Sequence, residues 1–229
     1  MTGTVVAIDG PSGSGKSTIS RRVAAQLGMA YLDTGAMYRA AAWWCVRDGI
    51  DLADTAAVAR AVRELPLEMM TDPRDPGIAV GGEDVSVVIR STEISTVVSA
   101  VATNLEVRAE LRRRQREIID ASRGEGGIVA EGRDITTVVA PDADVRILLV
   151  ASEEARLARR AREIHGADDE GAIEATRDQV LRRDADDSTV SSFQVAADGV
   201  VTVDSSELTL DETVDAVRGL IETVQAGQR

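Results

Sequence analysis

Lysine is all but absent from this chain of 229 residues: of 26 basic residues, every one except Lys16 is arginine. Chemistry that needs two lysines is therefore excluded. Positive charge in general is scarce, because 39 acidic residues leave a formal charge of −13, and general repulsion on that scale argues against a nucleic acid polymer as partner. Cysteine occurs once, as Cys45 in the apolar run Ala-Ala-Trp43-Trp44-Cys45-Val46, so no internal disulfide and no cysteine-rich zinc site can form. The single histidine, His165, lies in a charged stretch and reads as solvated. Aromatic residues are only 2% against 44% apolar residues overall, so a core must be made from Val, Ala, Ile and Leu. No apolar run approaches the roughly 18 residues of a membrane span. No signal-peptide pattern precedes the first strand, and a cytoplasmic protein is expected.

What is present alternates between apolar strands and helical sequence. Thr4–Asp9, Gly127–Glu131, Val145–Val150 and Gly199–Val203 are short, almost wholly apolar runs, which suit strands buried on both faces. An α/β, three-layer fold with a mostly parallel five-stranded sheet is predicted, with ligands beyond the C-terminal strand ends. Ile19 to Leu27 has apolar residues every fourth position and stops at Gly28, as a helix does. From about 60 to 100 the texture changes to Pro66, Asp72-Pro-Arg-Asp-Pro-Gly77 and Gly81-Gly82, with short strands predicted at Leu67–Met70, Ile78–Val80 and Val85–Ile89. That reads as a small antiparallel insert. Leu105–Ile119, Glu153–Ile164 and Ala172–Arg183 read as helices, the last two joined by the polar segment 166–171, which could hinge.

Between the first strand and the first helix stands Gly10-Pro11-Ser12-Gly13-Ser14-Gly15-Lys16-Ser17-Thr18, the spacing of a phosphate-binding loop in the required context. Glycines let the backbone N–H groups turn inward on phosphate oxygens, and the helix adds its positive end. Lys16 supplies a mobile charge for β and γ phosphates, and Ser17 a hydroxyl for Mg²⁺. ATP with Mg²⁺ is thus the expected donor. With no second lysine, neither the Asn-Lys-x-Asp guanine reader of common GTPases nor the strand lysine of protein kinases is available.

A phosphoryl acceptor that is itself an anion needs fixed cations, and the planar guanidinium fork grips phosphate bidentately. Arg39, Arg108 and Arg133 are candidates by their places after strands and in the helix after the insert. The segments Leu32-Asp-Thr-Gly-Ala-Met-Tyr-Arg39, Gly82-Glu-Asp-Val-Ser86, Ile89-Arg90, Glu131-Gly-Arg-Asp134, Thr137-Val-Val, Pro141-Asp-Ala143 and Arg183-Asp-x-x-Asp187-Ser188 together resemble the bacterial cytidylate kinases, in order and over nearly the whole chain. The resemblance implies a core of 1–36, 104–152 and 184–229, a monophosphate-binding domain of 37–103 that includes the insert, and a helical lid of 153–183. It implies transfer of the γ-phosphoryl group of ATP to CMP or dCMP, by a monomer that binds neither nucleic acid polymer nor membrane. Carried over by position, Thr34, Arg39 and Arg133 hold the acceptor phosphate, Ser99, Arg108 and Asp134 read cytosine, and Arg183 with Asp187 meets the ribose. Arg156, Arg159 and Arg160 are candidates to close on the triphosphate, with Arg133, Arg159 and Arg160 counted with Lys16 as catalytic. Glu131 either holds Mg²⁺ through water or simply ends a strand.

Two departures from the family pattern stand out. Val190 occupies a position where relatives place arginine, and Thr136 and Ala140 replace a glycine and a phenylalanine. A kinase for UMP, dTMP, AMP or shikimate, and an ATP-binding regulator without catalysis, are the alternative readings.

Overall fold

The computed structural model describes residues 3–227. In chain order the elements are β1 (Thr4–Asp9), α1 (Lys16–Leu27), β2 (Ala30–Asp33), α2 (Thr34–Arg47), α3 (Thr55–Glu64), β3 (Leu67–Met70), β4 (Gly77–Val80) and β5 (Glu83–Asp84). There follow α4 (Thr92–Ala102), α5 (Leu105–Arg123), β6 (Gly127–Gly132), β7 (Val145–Val150), α6 (Glu153–His165), α7 (Glu170–Ser188), β8 (Val201–Asp204) and α8 (Leu210–Gly227). Five strands form a sheet in the order β2-β6-β1-β7-β8, all parallel, as the apolar runs predict.

The alternation along β1 explains the layers. Val5 and Ala7 pack into a cluster with α2, α3, α4 and α5, while Val6 and Ile8 pack on the opposite face with α1 and α8. Along β1 both faces are closed to water, and each fully buried Val or Ile contributes about 1.5–3 kcal/mol; the edge strand β8 departs from the expected two-sided burial, with Val201, Thr202 and Asp204 exposed. Every parallel strand then ends on the same side. Asp9, Asp33 and Glu131 stand at that edge, with Asp33 directly opposite Glu131 in the β2–β6 register.

A second sheet, β3-β4-β5, is antiparallel and lies where the insert is predicted. Its third member differs from expectation. The Val85–Ile89 strand is replaced by a two-residue strand and a 3-10 turn at Val88–Arg90. Asp84 Oδ1 captures the Ser86 N–H at 2.9 Å and Ile89 N donates to Val85 O, so the chain coils and buries Val85 and Ile89 on one side. β8 begins at Val201 rather than Gly199, because Gly199 turns with φ +73° under the Arg146 guanidinium. Side-chain caps from Asp33, Asn104, Ser152 and Asp169 fix the starts of α2, α5, α6 and α7. α5 and α7 run past their predicted ends, to Arg123 and Ser188.

Candidate nucleotide site

A cavity of about 690 Å³ opens beyond the strand ends, reaching from the glycine loop to Arg108 and Asp134. Ser12, Gly13 and Gly15 to Thr18 line it; Gly10, Pro11 and Ser14, also expected at the nucleotide, are buried and do not line it. Gly13 has φ +76°, and a Cβ there would stand 2.6 Å from Arg156 O, so no other residue lets α6 approach so closely. Lys16 Nζ donates to Pro11 O at 2.9 Å. Burial lowers its pKa, Glu131 opposes that shift, and Arg133 and Arg183 add to it.

Ser17 Oγ donates to Glu131 Oε1 at 2.6 Å, and the Tyr31 hydroxyl reaches the same oxygen at 3.3 Å. Burial and the charge of Asp33 raise the Glu131 pKa, with Lys16 and Ser17 pulling it back. Hydroxyl and carboxylate oxygens at the loop fit Mg²⁺, which takes one or two protein oxygens and keeps water and phosphate for the rest. No group of three or more potential metal-ligating acids, histidines or cysteines occurs among the described residues.

Between the two ends lies a cluster of arginines. Arg39 is buried on α2 and bonds Ile89 O and Ser95 Oγ, and no carboxylate pairs with it among the described residues. Burial, Arg183 and Arg160 lower its pKa to about 9. Arg183 is likewise lowered to about 10 by burial and by Arg133. Cations that depress one another in a chain of net charge −13 mark a local site for an anion. Arg133 bridges to Asp184 and Asp187 and stacks 4.6 Å over Phe193. Thr34 Oγ1 donates to Glu131 O at 2.8 Å, and a Cβ at Gly132 would come within 2.4 Å of that hydroxyl.

At the far end Arg108 and Asp134, both buried, pair at 2.7 Å, with Arg108 lying 5.7 Å over the Tyr38 ring. Of the predicted base readers, Ser99 alone is not brought to the cavity wall; Val98 and Ala102 of the same helix stand there. Arg159 lines the cavity but is engaged with Ser205 and Ser14 O, and Arg156 with Ser12 O and Asp184. Arg160 lines the cavity, and among the described residues its one ion-pair partner is the exposed Glu163. Val190 follows α7, and Arg183 and Arg160 share the cavity with Asp187, whereas Arg182 is exposed and lies outside its wall.

Several participants carried no assigned role in the sequence reading. Arg112 joins Arg108 on Asp134, four residues on along α5, a spacing that puts both on one face. Asp184 links Arg133, Arg156 and the Ser12 N–H. Arg90 pairs with Asp33 at 2.9 Å. Asp9 accepts the Ile135 and Thr136 N–H groups and the Thr136 hydroxyl, so the threonine that departs from the family pattern ties the loop of Arg133 and Asp134 to β1.

A parallel sheet with a phosphate loop after its central strand, and an arginine cluster facing that loop, define a P-loop kinase. The family model "Cytidylate kinase" matches residues 6–223, and the chain belongs to that family. The protein is 52% identical to a cytidylate kinase of Nocardia farcinica, over 96% of this chain and 94% of the relative. It is 48% identical to one of Streptomyces avermitilis, over 98% and 95%, and 49% identical to one of Streptomyces coelicolor, over the same shares. No helix of the described residues is long and apolar enough to cross a membrane.

Proposed function

We propose that the protein transfers the γ-phosphoryl group of ATP to CMP or dCMP, forming CDP or dCDP and ADP. The observation that carries this reading is one cavity with the Lys16 loop at one end, the Arg108–Asp134 pair at the other and unpaired arginine charge between. An oxygen of the CMP phosphate attacks the γ-phosphorus, the bond from that phosphorus to the β–γ bridging oxygen breaks, and ADP leaves with the electron pair.

In this reading the loop N–H groups and Lys16 hold the β and γ phosphates of ATP. Ser17, with Glu131 through water, would hold Mg²⁺, which when bound neutralises phosphate charge. Thr34, Arg39 and Arg133 orient the acceptor phosphate, and Arg160 and Arg183 lie close enough to offset its repulsion with the donor. Asp184 and Asp187 hold the Arg133 guanidinium in place beside the cavity. Arg108 and Asp134 complement the acceptor and amino-donor edge of cytosine. The helices of 153–183 would act as a lid over the cavity, and the protein would act as a monomer.

An acceptor panel tests the proposal: ADP release from MgATP with CMP, dCMP, UMP, dTMP, AMP or shikimate. CMP and dCMP should give the highest kcat/KM. Preference for AMP, dTMP or shikimate, or no release with any acceptor, would overturn it.

A further inference from the structure

Asp134 is gripped unevenly. Its Oδ2 accepts from Arg108 Nη2 at 2.7 Å and from Arg112 Nε and Nη2 at 2.8 and 2.6 Å. Its Oδ1 takes no hydrogen bond from any described residue. Arg108 comes from the cavity side and lines the wall, whereas Arg112 is not part of the wall and keeps 20% of its side chain exposed behind the pair. Charge-assisted bonds of this length are about twice as strong as neutral ones, and three on one oxygen stop the carboxylate from rotating. Asp134 lines the cavity, and its other oxygen is left as an anionic acceptor with a fixed direction.

We infer that Arg112 is a positioning residue for base discrimination: it pins Asp134 so that Oδ1 accepts from the exocyclic amino group of an aminopyrimidine and rejects a pyrimidine with a carbonyl there. A carbonyl would set oxygen against oxygen with no proton between them. Without Arg112, only Arg108 holds the carboxylate. Arg108 is itself incompletely engaged, since its Nε is buried without a partner and its Nη1 is bonded to Ala102 O. The carboxylate is then free to turn, and water or the Arg108 guanidinium can stand between it and a keto base. The inference rests on the reading that Asp134 faces the base.

The test is steady-state kinetics of Arg112→Gln, Arg112→Lys and Asp134→Asn with CMP and UMP at saturating MgATP, together with KM for ATP. For Arg112→Gln the loss should fall on KM for CMP, with the ratio of kcat/KM for CMP over UMP reduced about tenfold or more. KM for ATP should move less than about twofold, and Arg112→Lys, which keeps the charge but loses the fork, should fall between. A ratio unchanged in Arg112→Gln, or CMP, UMP and ATP constants shifting together, would overturn the inference. Asp134→Asn separates the two levels. If it collapses the discrimination while Arg112→Gln keeps it, the role of Arg112 alone fails; if it too keeps the discrimination, the base reading fails. Should Arg112→Gln not fold, Arg112→Lys decides by the same ratio.

Discussion

Asp184 accepts the backbone N–H of Ser12 at 3.0 Å, joining the end of α7 to the glycine loop across 172 positions of sequence. The same carboxylate holds Arg133 and Arg156. One side chain thus touches the glycine loop, Arg133 at the cavity wall and the neighbouring helix α6.

Asp184→Ala should therefore weaken both nucleotides. Taking one of two carboxylates from Arg133 and the one carboxylate paired with Arg156 among the described residues, both arginines being mostly buried, costs about 1–3 kcal/mol. KM values for ATP and for CMP should both rise, and the melting temperature should fall. An effect on one nucleotide alone would show that Asp184 does not link the two sites.

Asp134→Ala should behave differently, raising KM for CMP by an amount equivalent to about 1–3 kcal/mol while leaving ATP nearly unchanged. Isothermal titration with each nucleotide checks it. Equal weakening of both would count against Asp134 as a base reader.

The single lysine allows a direct measurement of its own charge. Burial and the charges of Arg133 and Arg183 lower the Lys16 pKa, with Glu131 opposing. Phosphate binding needs the ammonium form, which is lost as pH rises through that lowered value. In protein labelled with ¹⁵N at lysine, the one Nζ resonance should titrate below the ordinary lysine range, and kcat/KM for ATP should fall over the same pH interval. A midpoint at or above the ordinary range would contradict the surroundings described for Lys16.

The family resemblance implies an arginine where Val190 stands, and Arg183 and Arg160 line the cavity together with Asp187. Val190→Arg should change KM for CMP only modestly. A tenfold decrease, about 1.4 kcal/mol of binding, would show that neither arginine replaces the missing one.

Legibility in the sequence followed the range of the interactions. The glycine loop is local, so Gly10 to Thr18 identify it before any packing is known. Three unbroken apolar runs are the central strands β1, β6 and β7, and the fourth supplies the edge strand β8 only from Val201 on. The third strand of the insert was not legible, because the Asp84 side chain takes the Ser86 N–H and converts an apparent strand into a coil. Arg112 was hidden among 25 arginines, since only the fold brings Asp134 over the helix face it shares with Arg108. The roles of Asp184 and Asp9 depend on contacts of the same long range.

Phosphoryl transfer itself is followed most directly with ATP labelled at the γ-phosphate, CMP and either the wild-type protein or Lys16→Ala. The wild type should place the label in CDP with one ADP formed per CDP, and Lys16→Ala should lose roughly 10²-fold or more of that turnover while remaining folded. Label released as free phosphate without CDP, or a folded Lys16→Ala that transfers within a few-fold of wild type, would contradict a P-loop cytidylate-phosphorylating site.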